Sequence, residues 1–213
     1  MIVEMLTVSP FQENCYVIGD EESMTGAIID PGDEATRIAL TVERAGLEIS
    51  QIIVTHSHID HVGAVAQLVD EYMCPVLMHA EAEAMLKTVP QQAMMMGMRF
   101  GKIPNVDLHV GDDETLEVGS LRLRSMYTPG HAPGHLAFLV EDEALVFSGD
   151  ALFAGSVGRV DLPGGNMEVL MRSISERLLT LPDETRVLSG HGPETTIGRE
   201  RVTNPFLSGG GLP

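Results

Sequence analysis

The chain has 213 residues, of which 44% are hydrophobic and 21% charged. That length suits one substantial core rather than two, and the composition excludes disordered, collagen-like and coiled-coil chains. Asp and Glu number 31 against 13 Lys and Arg, and the resulting net charge of −18 makes nucleic acid and anionic membrane surfaces poor partners.

Residues 2–8, 15–18 and 26–29 are short apolar or alternating runs and read as strands. The turn Asp30-Pro31-Gly32-Asp33 follows, and Ala35, Ile38, Ala39, Val42 and Ala45 then mark a helix over 34–45 that stops at Gly46. Residues 52–54 read as a buried strand, 62–72 as one helix and 76–78 as another strand. Residues 81–101 carry Met85, Met94, Met95, Met96 and Met98 around Pro90 and Gly97. The pattern fits a pair of core helices; a mobile flap or dimer contact built from adaptable methionines is the alternative.

Strands resume at 115–118 and 121–127, joined at Gly119-Ser120, and continue at 136–140 and 144–147. Asn166 caps an expected helix over 167–179, 186–188 reads as the last strand, and 208–213 as a frayed tail. No internal linker interrupts the chain, so residues 1–213 are expected to form one domain of two sheets covered by helices. No apolar run is long enough to span a membrane, and the first residues lack the basic stretch of a signal peptide. The expectation is a cytoplasmic protein with Cys15 and Cys74 reduced and buried. The acidic, lysine-poor composition fits an arginine-preferring genome, with a salt-adapted host as a second source.

The informative stretch is His56-Ser57-His58-Ile59-Asp60-His61, between an expected strand and an expected helix. Residues two apart on extended chain face one side, so His56 and His58 can hold one ion. A turn into the helix then lets Asp60 and His61 face a second ion. His131, Asp150 and His191 each sit in a Gly-rich loop just past an expected strand. If those strand ends share an edge, seven ligand-type side chains converge.

The run His56–His61, with Pro129-Gly130-His131, Ser148-Gly149-Asp150, Gly158-Arg159-x-Asp161 and Gly190-His191-Gly192-Pro193, resembles the metallo-β-lactamase fold superfamily. Within it, the chain is similar to short glyoxalase II-like hydrolases. The resemblance implies an α/β fold, an αββα sandwich with a dinuclear centre at one edge. His56, His58 and His131 would bind one metal, Asp60, His61 and His191 the other, and Asp150 would bridge. It further implies hydrolysis of an anionic small-molecule thioester, with hydroxyacylglutathione the best single guess, by attack of metal-bound hydroxide that Asp60 orients. Zinc is the first choice for the two divalent ions, with iron or manganese also suited to His and carboxylate ligands. A persulfide dioxygenase using one iron is the alternative on the same fold.

Asp30 is expected either to turn the chain before Pro31 or to accept a hydrogen bond from a ligand histidine. Arg159 either grips a substrate carboxylate or pairs with Asp161. His135 reads as a buried structural histidine, His109 as a surface residue and His79 as a weaker site candidate. Longer glyoxalase II enzymes carry a C-terminal helical domain that contributes glutathione contacts. The short stretch after His191 leads to the expectation that loops at the metal edge replace it, with residues 85–98 as an apolar wall. Monomer and homodimer both remain open.

Overall fold

The computed structural model describes residues 1–95, 97–98 and 100–208. Strands β1 (Ile2–Val8), β2 (Glu13–Gly19), β3 (Thr25–Ile29), β4 (Glu48–Ile53), β5 (Val76–Met78) and β6 (Leu108–His109) form one sheet in that spatial order. β1 to β3 pair antiparallel, and β3 to β6 pair parallel. The later strands are β7 (Thr115–Val118), β8 (Leu121–Tyr127), β9 (Leu136–Val140), β10 (Leu145–Gly149), β11 (Leu152–Phe153), β12 (Ser156–Val157), β13 (Arg186–Ser189) and β14 (Thr195–Thr196). β11 and β12 make a small hairpin, and the others form a second sheet ordered β14-β13-β10-β9-β8-β7.

Strand periodicity explains the layering. In β2, Tyr16 and Ile18 face a core shared with Phe138, Phe147 and Leu188 of the second sheet. Their neighbours Cys15 and Val17 face the opposite way, onto helix-borne Ile38, Val65 and Leu86. In the second sheet Phe138 and Phe147 look inward, whereas Ala137, Leu139 and Val146 meet Leu170, Ile174 and Ile197. Each sheet is therefore apolar on both faces, which only a covering layer on each side can satisfy. Helices α1 (Ala35–Ala45), α2 (Ile59–Val62), α3 (Val65–Tyr72), α4 (Ala80–Leu86) and α5 (Val89–Met95) follow strands of the first sheet. Helices α6 (Met167–Ser173), α7 (Ile197–Thr203) and α8 (Pro205–Ser208) follow those of the second. The αββα sandwich expected from the sequence is the observed architecture.

Three expectations change. The helix over 62–72 is two pieces, α2 and α3, because the Pro31-Gly32 turn abuts their junction. A Cβ at Gly63 would strike Gly32 O, and Ala64 N donates to Pro31 O at 3.0 Å. The helix over 167–179 starts as expected, with Asn166 Oδ1 accepting from Val169 N at 3.1 Å, but passes into a π-turn over Ile174–Leu178. The strand at 186–188 is not the last: β14 pairs with β13 and leads into α7.

The methionine-rich segment does form two helices, but Ala82, Leu86, Val89 and Ala93 fill the core, with Met98 packed partly buried against it. Met94 and Met95 are 73% and 87% exposed. Met96 and residues 209–213, the greater part of the expected tail, lie outside the described residues. Cys15 and Cys74 are free and buried, as expected. Among the described residues, no helix is long and apolar enough to cross a membrane.

Candidate metal centre

The predicted ligands arrive from the ends of strands at one edge of the sandwich. Asp30 follows β3, His56 follows β4, His131 follows β8, Asp150 follows β10 and His191 follows β13. Backbone bonds lock these loops together: Leu136 N to Thr55 O at 2.9 Å, Asp30 N to Ile53 O at 3.0 Å and Gly190 N to Gly149 O at 2.9 Å. Two glycines are required by close approach. Gly149 has φ +48°, and a Cβ there would press within 2.8 Å of His135 Nε2 and Thr55 Oγ1. A Cβ at Gly190 would strike Asp150 Oδ1.

The first cluster joins His56, His58 and His131. His56 Nε2 and His58 Nδ1 lie 3.0 Å apart, His58 Nδ1 and His131 Nε2 2.8 Å, and His56 Nε2 and His131 Nε2 3.2 Å. Hydrogen bonding cannot account for the His56–His131 edge of this triangle. His131 Nδ1 donates to Arg159 O at 2.7 Å, which leaves a bare lone pair on its neutral ring's Nε2. His56 Nδ1 faces Thr55 Oγ1 at 3.0 Å, and that hydroxyl gives its own hydrogen to Asp30 Oδ2 at 2.6 Å. The His56 Nε2 lone pair therefore also points inward. Two acceptors facing each other repel, whereas a cation between them binds both. The donor set fits a divalent metal.

The second cluster joins Asp60, His61 and His191. His61 Nδ1 donates to Asp30 Oδ2 at 2.9 Å, which leaves its buried Nε2 without a hydrogen-bond partner. His191 Nδ1 donates to Gln12 O at 3.2 Å, and its Nε2 stands 3.3 Å from Asp60 Oδ2. Asp150 connects the clusters: its Oδ2 is 3.5 Å from both His131 Nε2 and His191 Nε2, and its Oδ1 is 3.4 Å from His61 Nε2. All seven predicted ligand-type residues thus meet at one place. Asp30 also lies within ligand distance of His56 and His61, but its oxygens already accept from Thr55 N, Thr55 Oγ1 and His61 Nδ1. It orients rings, as the second of its two sequence readings expects.

A model of the metallo-beta-lactamase superfamily matches residues 8–191. The chain belongs to that superfamily. Among its relatives, the probable metallo-hydrolase YqgX of Bacillus subtilis is 42% identical over 207 residues, 96% of each chain. The hydroxyacylglutathione hydrolase GloC of Haemophilus influenzae is 39% identical over 215 residues, 98% of this chain and 99% of its own. Among solved structures, the B3 metallo-beta-lactamase BLEG-1 superposes with a TM-score of 0.91 at 35% identity, covering 98% of this chain and 100% of that one. TTHA1623 in a di-iron-bound form gives 0.89 at 42% identity, covering 96% and 100%. Metallohydrolase is the class that this membership supports for the chain.

The electrostatics of this metallo-beta-lactamase-type centre differ between its two clusters. Burial first, and then His131 alongside, push His58 down to about 3. Burial also holds His56 and His131 below the ordinary imidazole value. Burial works the same way on His61 and His191, but facing carboxylates outweigh it. Asp150 and Asp30 raise His61 well above the usual value, and Asp60 and Asp150 raise His191. Burial opposes ionisation of Asp150, yet His61, His131 and His191 together hold it well below the carboxylate range.

A cavity of about 380 Å³ opens over the centre, with Phe11, Ile59, Phe153, Val157 and Leu162 as apolar wall. Among the described residues no methionine forms the expected wall, and of residues 85–98 only Gln92 lines this cavity. The reason is that α4 and α5 use small and aliphatic residues to seat on the core, which turns Met94 and Met95 outward. Arg159 also lines the cavity, and its guanidinium is paired with Asp161 at 2.7 and 2.6 Å.

The other histidines sort themselves. His135 is buried, faces Thr128 Oγ1 at 2.8 Å and accepts from Asp150 N at 3.0 Å, a structural role as expected. His109 pairs with Glu83 at the surface, also as expected. His79 caps α4 and stacks on Tyr127, outside the metal clusters.

Sequence reasoning missed Thr55 and the start of β2. Asn14 Nδ2 donates to Ser189 O at 3.1 Å and Gly192 O at 2.9 Å, and Tyr16 Oη donates to Ser189 O at 2.7 Å. These clamp the His191 loop. The available signal was a polar pair, Glu13-Asn14, opening an apolar strand.

Proposed function

We propose that the protein is a dinuclear metal-dependent hydrolase of thioesters, with a hydroxyacylglutathione such as lactoylglutathione the best single substrate. The observation that carries the reading is Asp150, one carboxylate standing 3.4 to 3.5 Å from ring nitrogens of both clusters. The similarity to GloC, named a hydroxyacylglutathione hydrolase, supports the choice of substrate.

His56, His58 and His131 would hold one ion, Asp60, His61 and His191 the other, and Asp150 would bridge. Bound divalent ions make a water acidic enough to attack at neutral pH and polarise the carbonyl. Zinc remains the first choice of metal. The residues supply the rest. Asp60 is kept ionised despite burial by its contacts with His191 and His61, so its carboxylate can accept a hydrogen bond from the attacking water and orient it. The apolar wall of Phe11, Ile59, Phe153, Val157 and Leu162 excludes competing water from the acyl group. Arg159 at the rim offers a guanidinium to a substrate carboxylate, in competition with Asp161.

A second reading, a persulfide dioxygenase using a single iron, draws support from the likeness to ETHE1 of Myxococcus xanthus, 28% identical with a TM-score of 0.82. Metal analysis of the purified protein, joined to a panel of thioesters, a lactone, a β-lactam and a persulfide with oxygen uptake recorded, separates the readings. Two ions per chain and oxygen-independent thioester cleavage are expected. Single-turnover hydrolysis in ¹⁸O-water should place the label directly in the product acid. Stoichiometric oxygen uptake with the persulfide, or an acylated serine or cysteine, would overturn the proposal.

A further inference from the structure

Glu13 is a buried carboxyl that neither ligates nor hydrogen-bonds. It is completely buried, and neither carboxyl oxygen has a hydrogen-bond partner. Oε1 lies 3.8 Å from His61 Nδ1, whose own hydrogen goes to Asp30. Oε2 rests against the Pro31-Gly32 turn, where a Cβ at Gly32 would come within 2.7 Å of it. The Glu13 backbone makes an isolated antiparallel bridge to His191. The residue thus touches the supports of two members of the second cluster.

An unpartnered buried carboxyl is costly, and an apolar side chain would fill the same place at lower cost. The ring supports of the first cluster provide the contrast. There the far nitrogens lean on neutral oxygens, Thr55 Oγ1 behind His56 and Arg159 O behind His131. Behind His61 stand two carboxyl groups, Asp30 and Glu13. A carboxyl that accepts the far N–H of a ligating imidazole fixes the ring and strengthens its hold on a cation, which is the role of Asp30; Glu13 adds a second carboxyl 3.8 Å from the same nitrogen.

We propose that Glu13 is a positioning residue for the ion held by Asp60, His61 and His191: it braces His61 from behind and strengthens that site selectively. The inference rests on the metal assignment made above for those three residues. The test compares wild type with Glu13→Gln and Glu13→Asp, by titration with zinc against a chromophoric chelator and by thermal unfolding of the metal-free chains. Wild type should take two ions. Glu13→Gln should bind one of the two ions about tenfold less well and keep the other with unchanged affinity. Glu13→Asp should recover part of that loss. Metal-free Glu13→Gln should unfold at the same temperature as wild type or higher, because a buried carboxyl has been removed. In cobalt-loaded protein, the absorption of the weaker site alone should shift. Equal affinities in wild type and Glu13→Gln, equal weakening of both ions, or a metal-free Glu13→Gln that does not fold would each overturn the proposal. A wild type that holds a single ion would instead remove the two-metal assignment, a different failure from any shown by the variants.

Discussion

The two metal clusters are built from similar side chains but in different ways. His56, His58 and His131 are nearly fully buried, and the supports behind His56 and His131 are neutral oxygens close to them in the fold. His191 is 27% exposed and sits on a loop whose anchors, Gln12, Asn14 and Tyr16, come from the far end of the chain. The first cluster is buried and backed by neutral oxygens; the second is partly exposed, carboxylate-rich and held by long-range contacts. The difference predicts a tight ion beside a labile one, with Asp150 the point at which they depend on each other.

The largest effect should come from breaking that dependence. Asp150→Ala removes a carboxylate that stands 3.4 to 3.5 Å from ring nitrogens of both sets, so both ions should weaken. Activity should then fall by more than about a hundredfold, beyond the loss typical of an outer partner. Metal content after dialysis checks it; retention of two tight ions would contradict the bridging role.

Acid should separate the clusters next. A proton takes an imidazole at higher pH when its pKa is raised, and a protonated nitrogen cannot ligate. His191 and His61 are raised, whereas His58 is lowered to about 3 and His56 and His131 are also depressed. As pH falls from 7 toward about 5, below the ordinary histidine range, the second ion should leave first. Released metal measured across an acid titration should appear in two steps, and simultaneous release would erase the distinction.

Asn14→Ala sharpens the comparison from a distance. It deletes both side-chain donors that hold Ser189 O and Gly192 O. We expect a loss of about 1 kcal/mol in stability, because Gly192 O loses its side-chain donor while Ser189 O keeps Tyr16 Oη. Affinity for the second ion should drop while the first is spared. Denaturant unfolding and metal titration report the two parts.

The smallest effect belongs to Arg159→Ala. The backbone carbonyl, not the guanidinium, supports His131, so both ions should remain. The side chain is exposed and already paired with Asp161, so KM should rise only about threefold to tenfold. Equal metal loss in this variant and Asp150→Ala would make Arg159 structural.

Much of the centre was legible because a metal site demands chemically rare side chains. Histidine and aspartate in glycine-bounded loops after apolar runs can be found by residue type alone, and the spacing from His56 to His61 is set by local backbone geometry. The apolar runs of β2, β9 and β10 were likewise readable as strands, and a sheet apolar on both faces has to be covered twice. The supporting contacts were not legible. Asn14 and Gly192 lie 178 positions apart, Thr55 links His56 to Asp30, and Glu13 looks like any strand-opening acid until it is found fully buried. The methionines misled for a related reason. A helix face is chosen by what it packs against, and α5 seats Val89 and Ala93 on the core, leaving Met94 and Met95 outside. Residue chemistry along the chain therefore determined which atoms can grip a cation. Only the folded arrangement decided which ring nitrogens face inward, because each is fixed by a hydrogen bond on its far side, from a partner that the chain brings in from elsewhere.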